Sequence, residues 1–544
     1  MIIFLLSFAL SAISQNTVGL TQYSEESNEG YTLFAPMNAT TTYLIDNCGF
    51  LVNSWNSDFK PGLSCFLRDD GLLFRTARIQ SSFNVGGSGG RLEVFNWDGE
   101  MVWSYNFTSA DEQSHHDISL LPNGNILVLL WDGHSFDEAV AKGKREAFIS
   151  QNIGFWSEKV CEIKMLPDNQ MEIVWEWNSW DHVVQDYNDT LDGYGIISEH
   201  PEKFNINYPP LSQSADWMHM NAIDYNEVLD QIVLSSRNFS EFYIIDHSTT
   251  TEEAKTGEGG IYGKGGDILY RWGNPQAYNQ GADEDQILYG QHDAHWIDEG
   301  LPGAGNILVF NNGFGRPGVI LASTLDEINV NPNGDGFYTL NSSNTFDPII
   351  SDWTYPEILT NDFYAGRVSG SQRLENGNTM VCLGRNGLLI EFNPKEEIVW
   401  EYICPISING PVEQGDMVSG NDIFKTQKYG YDYLAFEGKD MSPTEPIELI
   451  PEPTECRTTS IESTWLGINA EIYPNPFSDD LNIEIFERGE YQVEIFNQVG
   501  QQLSCKQFNH SITLNEFSSN SGVFFIKLTD LDSGRIANTS IIKL

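Results

Sequence analysis

The stretch EVFNWDGEMVW (Glu93–Trp103) decides how the rest of the chain is read. An alternating apolar run, an Asp-Gly turn and a second run closing on tryptophan spell a β-hairpin, because the central residues of such a turn need positive φ. The same pattern returns as YLIDNCGFLVNSW (Tyr43–Trp55), EIKMLPDNQMEIVW (Glu162–Trp175), DILYRW (Asp267–Trp272) and IEFNPKEEIVW (Ile390–Trp400), with a weaker copy ending in SDW (Ser351–Trp353). A companion unit, a turn followed by an apolar strand, appears as LRDDGLLFRTA from Leu67, LLPNGNILVLLWDG from Leu120, GAGNILVFNNG from Gly303 and RLENGNTMVCLGRNG from Arg373. Repeated small sheets, each burying a face on its neighbour, predict an all-β chain built as a β-propeller. The closing tryptophans Trp55, Trp103, Trp175, Trp272, Trp353 and Trp400 give six blades over residues 16–440. Their uneven spacing puts long loops in blades two to four. The strands before Trp55 would join the last repeat, complete the ring and remove an exposed edge. Tryptophan hairpins also occur in sandwiches, but repetition along most of the chain favours the propeller.

Composition agrees with sheet and narrows the partners. The 544 residues are more than one ordinary core, so two units are expected. Hydrophobic residues at 40% and aromatics at 12% exclude wholesale disorder. With 29 Lys+Arg against 77 Asp+Glu the formal charge is −48, which repels nucleic acid and anionic membrane surfaces. An anionic substrate would need a local cationic pocket. The opening MIIFLLSFALSAISQN is short, apolar and ends in small residues, so residues 1–15 read as an export signal peptide, although no Lys or Arg precedes the apolar run. No later run is long enough for a membrane span. Seven scattered cysteines show no CxxC or Cys/His spacing, so neither a zinc nor a redox site is supported.

The repeat fades near Tyr433. Residues 441–466, rich in Pro and Glu around SPTEPIELIPEPTEC (Ser442–Cys456), read as a linker. From 467 to 544, alternating strands separated by Val-Gly and Asp-Ser-Gly turns predict a small C-terminal β-sandwich. Tyr473-Pro474-Asn475-Pro476, Asn497–Gln501, Gly522-Val523-Phe524-Phe525 and Ile541-Ile542-Lys543 resemble the sorting domain of proteins exported by the type IX secretion system of Bacteroidetes. That resemblance implies the type IX secretion machinery as a partner, passage through periplasm and outer membrane, and a secreted or cell-surface product.

Histidine is scarce, with ten in the chain, yet several stand at equivalent places in the repeat. His115 and His116 open HHDISLLPNGNIL, His219 opens the next unit within DWMHMNAI, and His292 and His295 lie in GQHDAHW. In a propeller the opening strands line the channel, so these residues would converge; any single one could serve only to bond neighbouring blades. DWMHMNAI, LSSRNFSE, GQHDAHW, NILVFNNG and RLENGNTM with IVWEYICP together resemble the bacterial arylsulfate sulfotransferases. The resemblance implies transfer of a sulfuryl group from a phenolic sulfate donor to a phenol acceptor without a nucleotide (PAPS-independent), without cofactor or metal. It places the family's nucleophile at His292, its His-x-Asn pair at His219 and Asn221, its arginine at Arg237 and a further channel histidine at His116. His295 is the alternative nucleophile and His115 the register alternative to His116; a hydroxyl is expected near Ser369–Ser371.

The residue types suit ping-pong chemistry through a sulfohistidine. Imidazole is neutral near pH 7, nucleophilic, and leaves readily. A guanidinium can hold two sulfonate oxygens at once, and a second imidazole can exchange the phenolic proton. Two other readings compete: a non-catalytic secreted propeller that binds glycans or sulfated aromatics, and a sulfate-ester hydrolase in which water is the acceptor. NVNPNGDG (Asn329–Gly336) lacks the distal Glu of a calcium loop and reads as a turn. The glycines of NVGGSGGRLEV (Asn84–Val94) read as a loop, because no helix follows as a phosphate cradle would need.

Overall fold

The computed structural model describes residues 16–209, 214–318, 321–330, 332–451, 456, 464–465, 468–473, 481–485, 489–497, 502–515, 522–531 and 536–543. The signal-peptide expectation, and the Pro474–Pro476 and Gln498–Gln501 parts of the sorting motif, lie outside them. The chain divides into two compact units, Met1–Glu452 and Pro453–Leu544.

In the first unit the hairpins pair as their turns dictate, giving six sheets of four or five antiparallel strands. Five of these sheets open with Pro61–Leu67, Glu112–Leu120, Met220–Asn226, His292–Trp296 and Gly370–Arg373 and run outward in chain order. The remaining sheet is led by Ile423–Tyr429, which pairs with Tyr31–Pro36 near the other end of the unit, so that Tyr31 faces Tyr429. The strand Gly19–Tyr23 adds to the far edge of the sheet that ends in Ile398–Ile403.

The six-bladed propeller expected from the repeat is corrected by these pairings. The described residues form ten separate sheets, none closed into a barrel or propeller and none strongly curled. Turn residues encode which strands of a hairpin pair; they carry no hydrogen-bonding instruction from one sheet to the next. Packing brings the leading strands together instead. Pro61–Leu67 lies beside Glu112–Leu120, then come Met220–Asn226, His292–Trp296 and Gly370–Arg373, and the last of these neighbours Ile423–Tyr429, itself beside Pro61–Leu67.

Five of the six tryptophan endings, all but the half-buried Trp353, act as latches between sheets. Each of these five indoles is mostly buried and must find an acceptor for its N–H. Trp55 Nε1 donates to Asn96 O at 2.9 Å, Trp103 to Gln170 O at 3.1 Å, Trp175 to Thr249 Oγ1 at 3.1 Å, Trp272 to Pro348 O at 2.6 Å and Trp400 to Asn47 O at 2.7 Å. Every acceptor belongs to the neighbouring sheet or the segment leading into its outer strand. The repeat is therefore a repeat of contacts between sheets as well as of hairpins.

In the second unit two four-stranded antiparallel sheets share one apolar core. Leu481, Ile483 and Ile485 alternate inward on one sheet, and Tyr491, Val493 and Ile495 do so on the other, the period of two that a half-buried strand requires.

Candidate active site

Backbone conformation prepares the site before any side chain does. Leu63, His116, His219, Asp293, Val368 and Ser369 all have positive φ, between 47° and 124°, on or at the start of the leading strands. Non-glycine residues avoid that region, so such a concentration marks stored strain. Beside four of them the ladder slips: at Pro61/Cys65, between Val128 and Leu130 opposite Ser114–Ile118, at Met220/Ala222 and at His292/His295. A bulge re-aims the side chains that follow it. Here it sends His292 and His295, three residues apart, into different surroundings.

Three imidazoles meet. The His116 and His219 rings lie 4.6 Å apart, and both His116 and His292 face the buried Phe424 ring, at 6.0 and 6.3 Å between centroids. Each has its Nδ1 committed. Asn312 Nδ2 donates to the carbonyls of Ala365 at 2.6 Å and Val368 at 2.9 Å, which turns its Oδ1 toward His292 Nδ1 at 2.7 Å. An amide oxygen only accepts, so His292 carries its proton on Nδ1 and a lone pair on Nε2. His219 Nδ1 donates to the Asp216 carboxylate. His115 Nε2 contacts Glu158 Oε2 at 2.8 Å, and its Nδ1 contacts His116 Nδ1 at 2.9 Å. The carboxylate accepts from His115 Nε2–H, leaving His115 Nδ1 to accept from His116 Nδ1–H. Among the described residues no side-chain hydrogen bond engages Nε2 of His116, His219 or His292.

Burial holds His292 and His116 neutral. His292 is pushed down to about 3, chiefly by burial and further by Arg237 and His219, against the opposing bond to Asn312. His116 lies well below the usual range through burial and the nearby His219, His115, His292 and Arg237. Arg237 supplies the fixed positive charge; its guanidinium carbon stands 4.9 Å from the centroid of the exposed Phe314 ring. Asn221 does not touch the imidazoles. Its Nδ2 donates to Gln291 O at 2.7 Å, which pins the strand at the residue before His292. The glycine loop also has its reason: a Cβ on Gly87 would sit 1.8 Å from His116 Cε1, so only glycine lets the chain cross that ring.

On the same strands, residues beyond the histidines make a different environment. Lys425 Nζ binds Asp117 Oδ2 at 2.8 Å and Asp293 Oδ1 at 3.2 Å, all three buried. They border a cavity of about 880 Å³ that also takes in Arg68, Asp224, His295 and Ser371, and that none of His116, His219, Arg237 or His292 lines. His295 Nδ1 bonds the Asp293 carbonyl at 2.8 Å, and burial pushes Asp224 up to about 6 against the pull of His295. The expected hydroxyl is absent from the cluster among the described contacts: Ser369 Oγ accepts from the Gly384 amide at 3.0 Å, and Ser371 lies in the cavity.

Of the residues singled out from sequence, His116, His219, Arg237 and His292 come together. Asn221 supports from behind, His115 stacks on Trp131 at 4.2 Å outside the cluster, and His295 lies elsewhere. Sequence reasoning missed Glu158, Asp216, Asn312, Phe424 and Lys425. Asp216 and Asn312 stood inside motifs already quoted, DWMHMNAI and NILVFNNG, and a search for acceptors near each histidine would have raised them.

The family model described as arylsulfotransferase (ASST) matches residues 75–403, more than half of the chain. The chain belongs to the arylsulfotransferase family. A second model, the secretion system C-terminal sorting domain, matches residues 471–543 and marks the protein for surface display or secretion by the type IX route. No curated protein is significantly similar to it. Among solved structures, a streptogramin B lyase aligns at 10% identity and TM-score 0.33 over 72% of this chain and 84% of its own. A virginiamycin B lyase from Staphylococcus aureus aligns at 9% and 0.32 over 71% and 88%, and a dihydro-heme d1 dehydrogenase at 8% and 0.30 over 91% and 80%. Among the described residues no helix is long and apolar enough to cross a membrane.

Proposed function

We propose that this arylsulfotransferase moves a sulfuryl group from a phenolic sulfate ester to a phenol by ping-pong transfer through His292, without a nucleotide donor. The observation that carries the reading is the meeting of three imidazoles beside Arg237, each with Nδ1 tied to a fixed partner and with His292 and His116 held neutral by burial. His292 Nε2 attacks sulfur, the S–O bond of the ester breaks, and the phenolate takes a proton from a neighbouring imidazole that has first acquired one on Nε2, from solvent before the first turnover and from the acceptor phenol thereafter. A second phenol then gives up its proton and takes the sulfuryl group from His292. Arg237, half-buried, opposes the negative charge on the sulfonate oxygens, a role for which a fixed donor is effective because it needs no reorganisation. Asn312 keeps Nδ1 of His292 protonated, so the nucleophilic lone pair is always on Nε2.

His116 or His219 serves as acid and base. Asp216 makes His219 the better holder of a full positive charge, since a carboxylate on Nδ1 stabilises the imidazolium. The local positive site inside an anionic protein selects small anions. We further propose that residues 16–440 form the catalytic part, 441–466 a linker and 467–544 a sorting tail, preceded by an export signal over residues 1–15, in a Bacteroidetes-like cell.

Turnover of p-nitrophenyl sulfate in the presence of phenol tests the reading. The wild type releases nitrophenol and forms phenyl sulfate, and isotopic sulfur from the donor is retained on the protein when acceptor is withheld. Nitrophenol release without phenyl sulfate would make it a hydrolase, and no release at all would leave only a binding protein.

A further inference from the structure

We propose that Glu158, His115 and His116 form a proton relay that opens into the imidazole cluster at His116 Nε2; the proposal rests on the sulfuryl-transfer reading for its purpose and on the hydrogen bonds for its existence. The chain is continuous: Glu158 Oε2 to His115 Nε2 at 2.8 Å, then His115 Nδ1 to His116 Nδ1 at 2.9 Å. Its far end is sealed. Glu158 and His115 are buried, and the His115 ring is stacked between strands on Trp131, 4.2 Å away and 11° from parallel. Glu158 is also fixed in orientation, because its Oε1 accepts the Met220 amide at 2.9 Å and leaves Oε2 for His115.

The relay answers a difficulty in the cluster. A phenolic proton has to be accepted and returned beside Arg237 and two other imidazoles, where a positive charge on His116 is strongly disfavoured. Three linked transfers avoid that charge. The incoming phenol gives its proton to His116 Nε2, the Nδ1 proton of His116 passes to His115 Nδ1, and the Nε2 proton of His115 passes to Glu158 Oε2. The result is a neutral carboxylic acid and two neutral imidazoles with their tautomers exchanged. Donor cleavage starts from the loaded relay, whose proton comes from solvent before the first turnover and from the acceptor phenol of the preceding cycle thereafter: Glu158 returns its proton, and His116 Nε2–H protonates the leaving phenolate as the S–O bond breaks. The acceptor phenol then reloads the relay, so one proton enters and one leaves per cycle. Glu158 and His115 are positioning residues that act through His116.

Nitrogen NMR of the full chain with isotopically labelled histidine tests it. Wild type at alkaline pH, where the relay is unloaded, should show His115 protonated on Nε2 and His116 on Nδ1, and this pair should exchange as the relay takes up its proton on acidification. In Glu158→Gln the side-chain oxygen must still accept the Met220 amide, so the NH2 group faces His115, and both tautomers should be inverted at every pH. A variant with the alkaline wild-type tautomers overturns the relay whether or not the protein transfers sulfuryl groups. If the variant does not fold, a wild-type tautomer pair that never exchanges with pH overturns it alone. Kinetics supply a second arm. Glu158→Gln should lose ~10²-fold with phenyl sulfate, whose leaving group needs its proton, but less than about tenfold with p-nitrophenyl sulfate. Equal losses with both donors would reduce Glu158 to a structural group. Absence of turnover in wild type would reject the transferase reading and leave the tautomer result standing.

Discussion

The two sides of the leading strands are made of the same residue types and behave oppositely. On one side His116, His219 and His292 each have Nδ1 tied to a fixed partner, and burial keeps His116 and His292 neutral. On the other, His295 borders an open cavity shared with Asp224, Asp293 and Lys425, its Nδ1 on a backbone carbonyl. Between the two sides stands a layer of bulges and the Lys425 ion pairs. A histidine becomes a candidate nucleophile here through the bulge that buries it and the acceptor that selects its tautomer.

The contrast can be broken most directly at its two histidines. His292→Ala should abolish sulfuryl transfer, whereas His295→Ala should keep activity within about threefold, a change of less than ~1 kcal/mol in the barrier; the reverse pattern, read from p-nitrophenyl sulfate turnover, would exchange the two sides. Removing the dividing layer comes next. Lys425→Met leaves Asp117 and Asp293 buried without their cation and should cost about 3–5 kcal/mol of stability. Denaturant unfolding of the triple variant with Asp117→Asn and Asp293→Asn should recover much of that loss.

Asn312→Ala sharpens the comparison by freeing the His292 tautomer while leaving its ring in place. It should lower kcat by ~10²-fold, with the KM for donor less affected. Acid should act on the same side. His292 is held at about 3 when folded against an ordinary value near 6.5, so the unfolded chain binds more protons between those two pH values. Stability is therefore full above about pH 6.5 and falls as the pH drops toward 3, by about 2 kcal/mol at pH 5 from this group. His292→Asn should flatten that part of the melting-temperature profile. The smallest effect lies far from both sides: Trp400→Phe strands the Asn47 carbonyl and should cost about 1–2 kcal/mol.

Much of this arrangement was legible from residues alone, for reasons that show where reading stops. Asp-Gly and Asn-Gly turns with tryptophan endings gave the hairpins, because both signals act within a dozen residues. His116, His219 and His292 stood out by recurring at one place in that pattern. Their partners did not. Glu158 lies 43 residues from His115, and Lys425 lies 308 residues from Asp117 and 132 from Asp293, so neither pairing leaves a local trace. The bulges were equally silent, since His116, His219 and Asp293 take positive φ under tertiary constraint, without glycine to announce it. The disposition of whole sheets was misjudged for the same reason: turns govern neighbours along the chain, and packing governs the rest.

The strand Ile423–Tyr429 supplies Phe424 and Lys425 yet pairs with Tyr31–Pro36, so a sheet begun near the front of the first unit is finished only by a segment near that unit's end. Bridging that span carries a large entropic delay in folding. A chain that stops short of Ile423 therefore lacks both the ring that His116 and His292 face and the cation that holds Asp117 and Asp293, so the imidazole cluster can be completed only after nearly the whole first unit has been made.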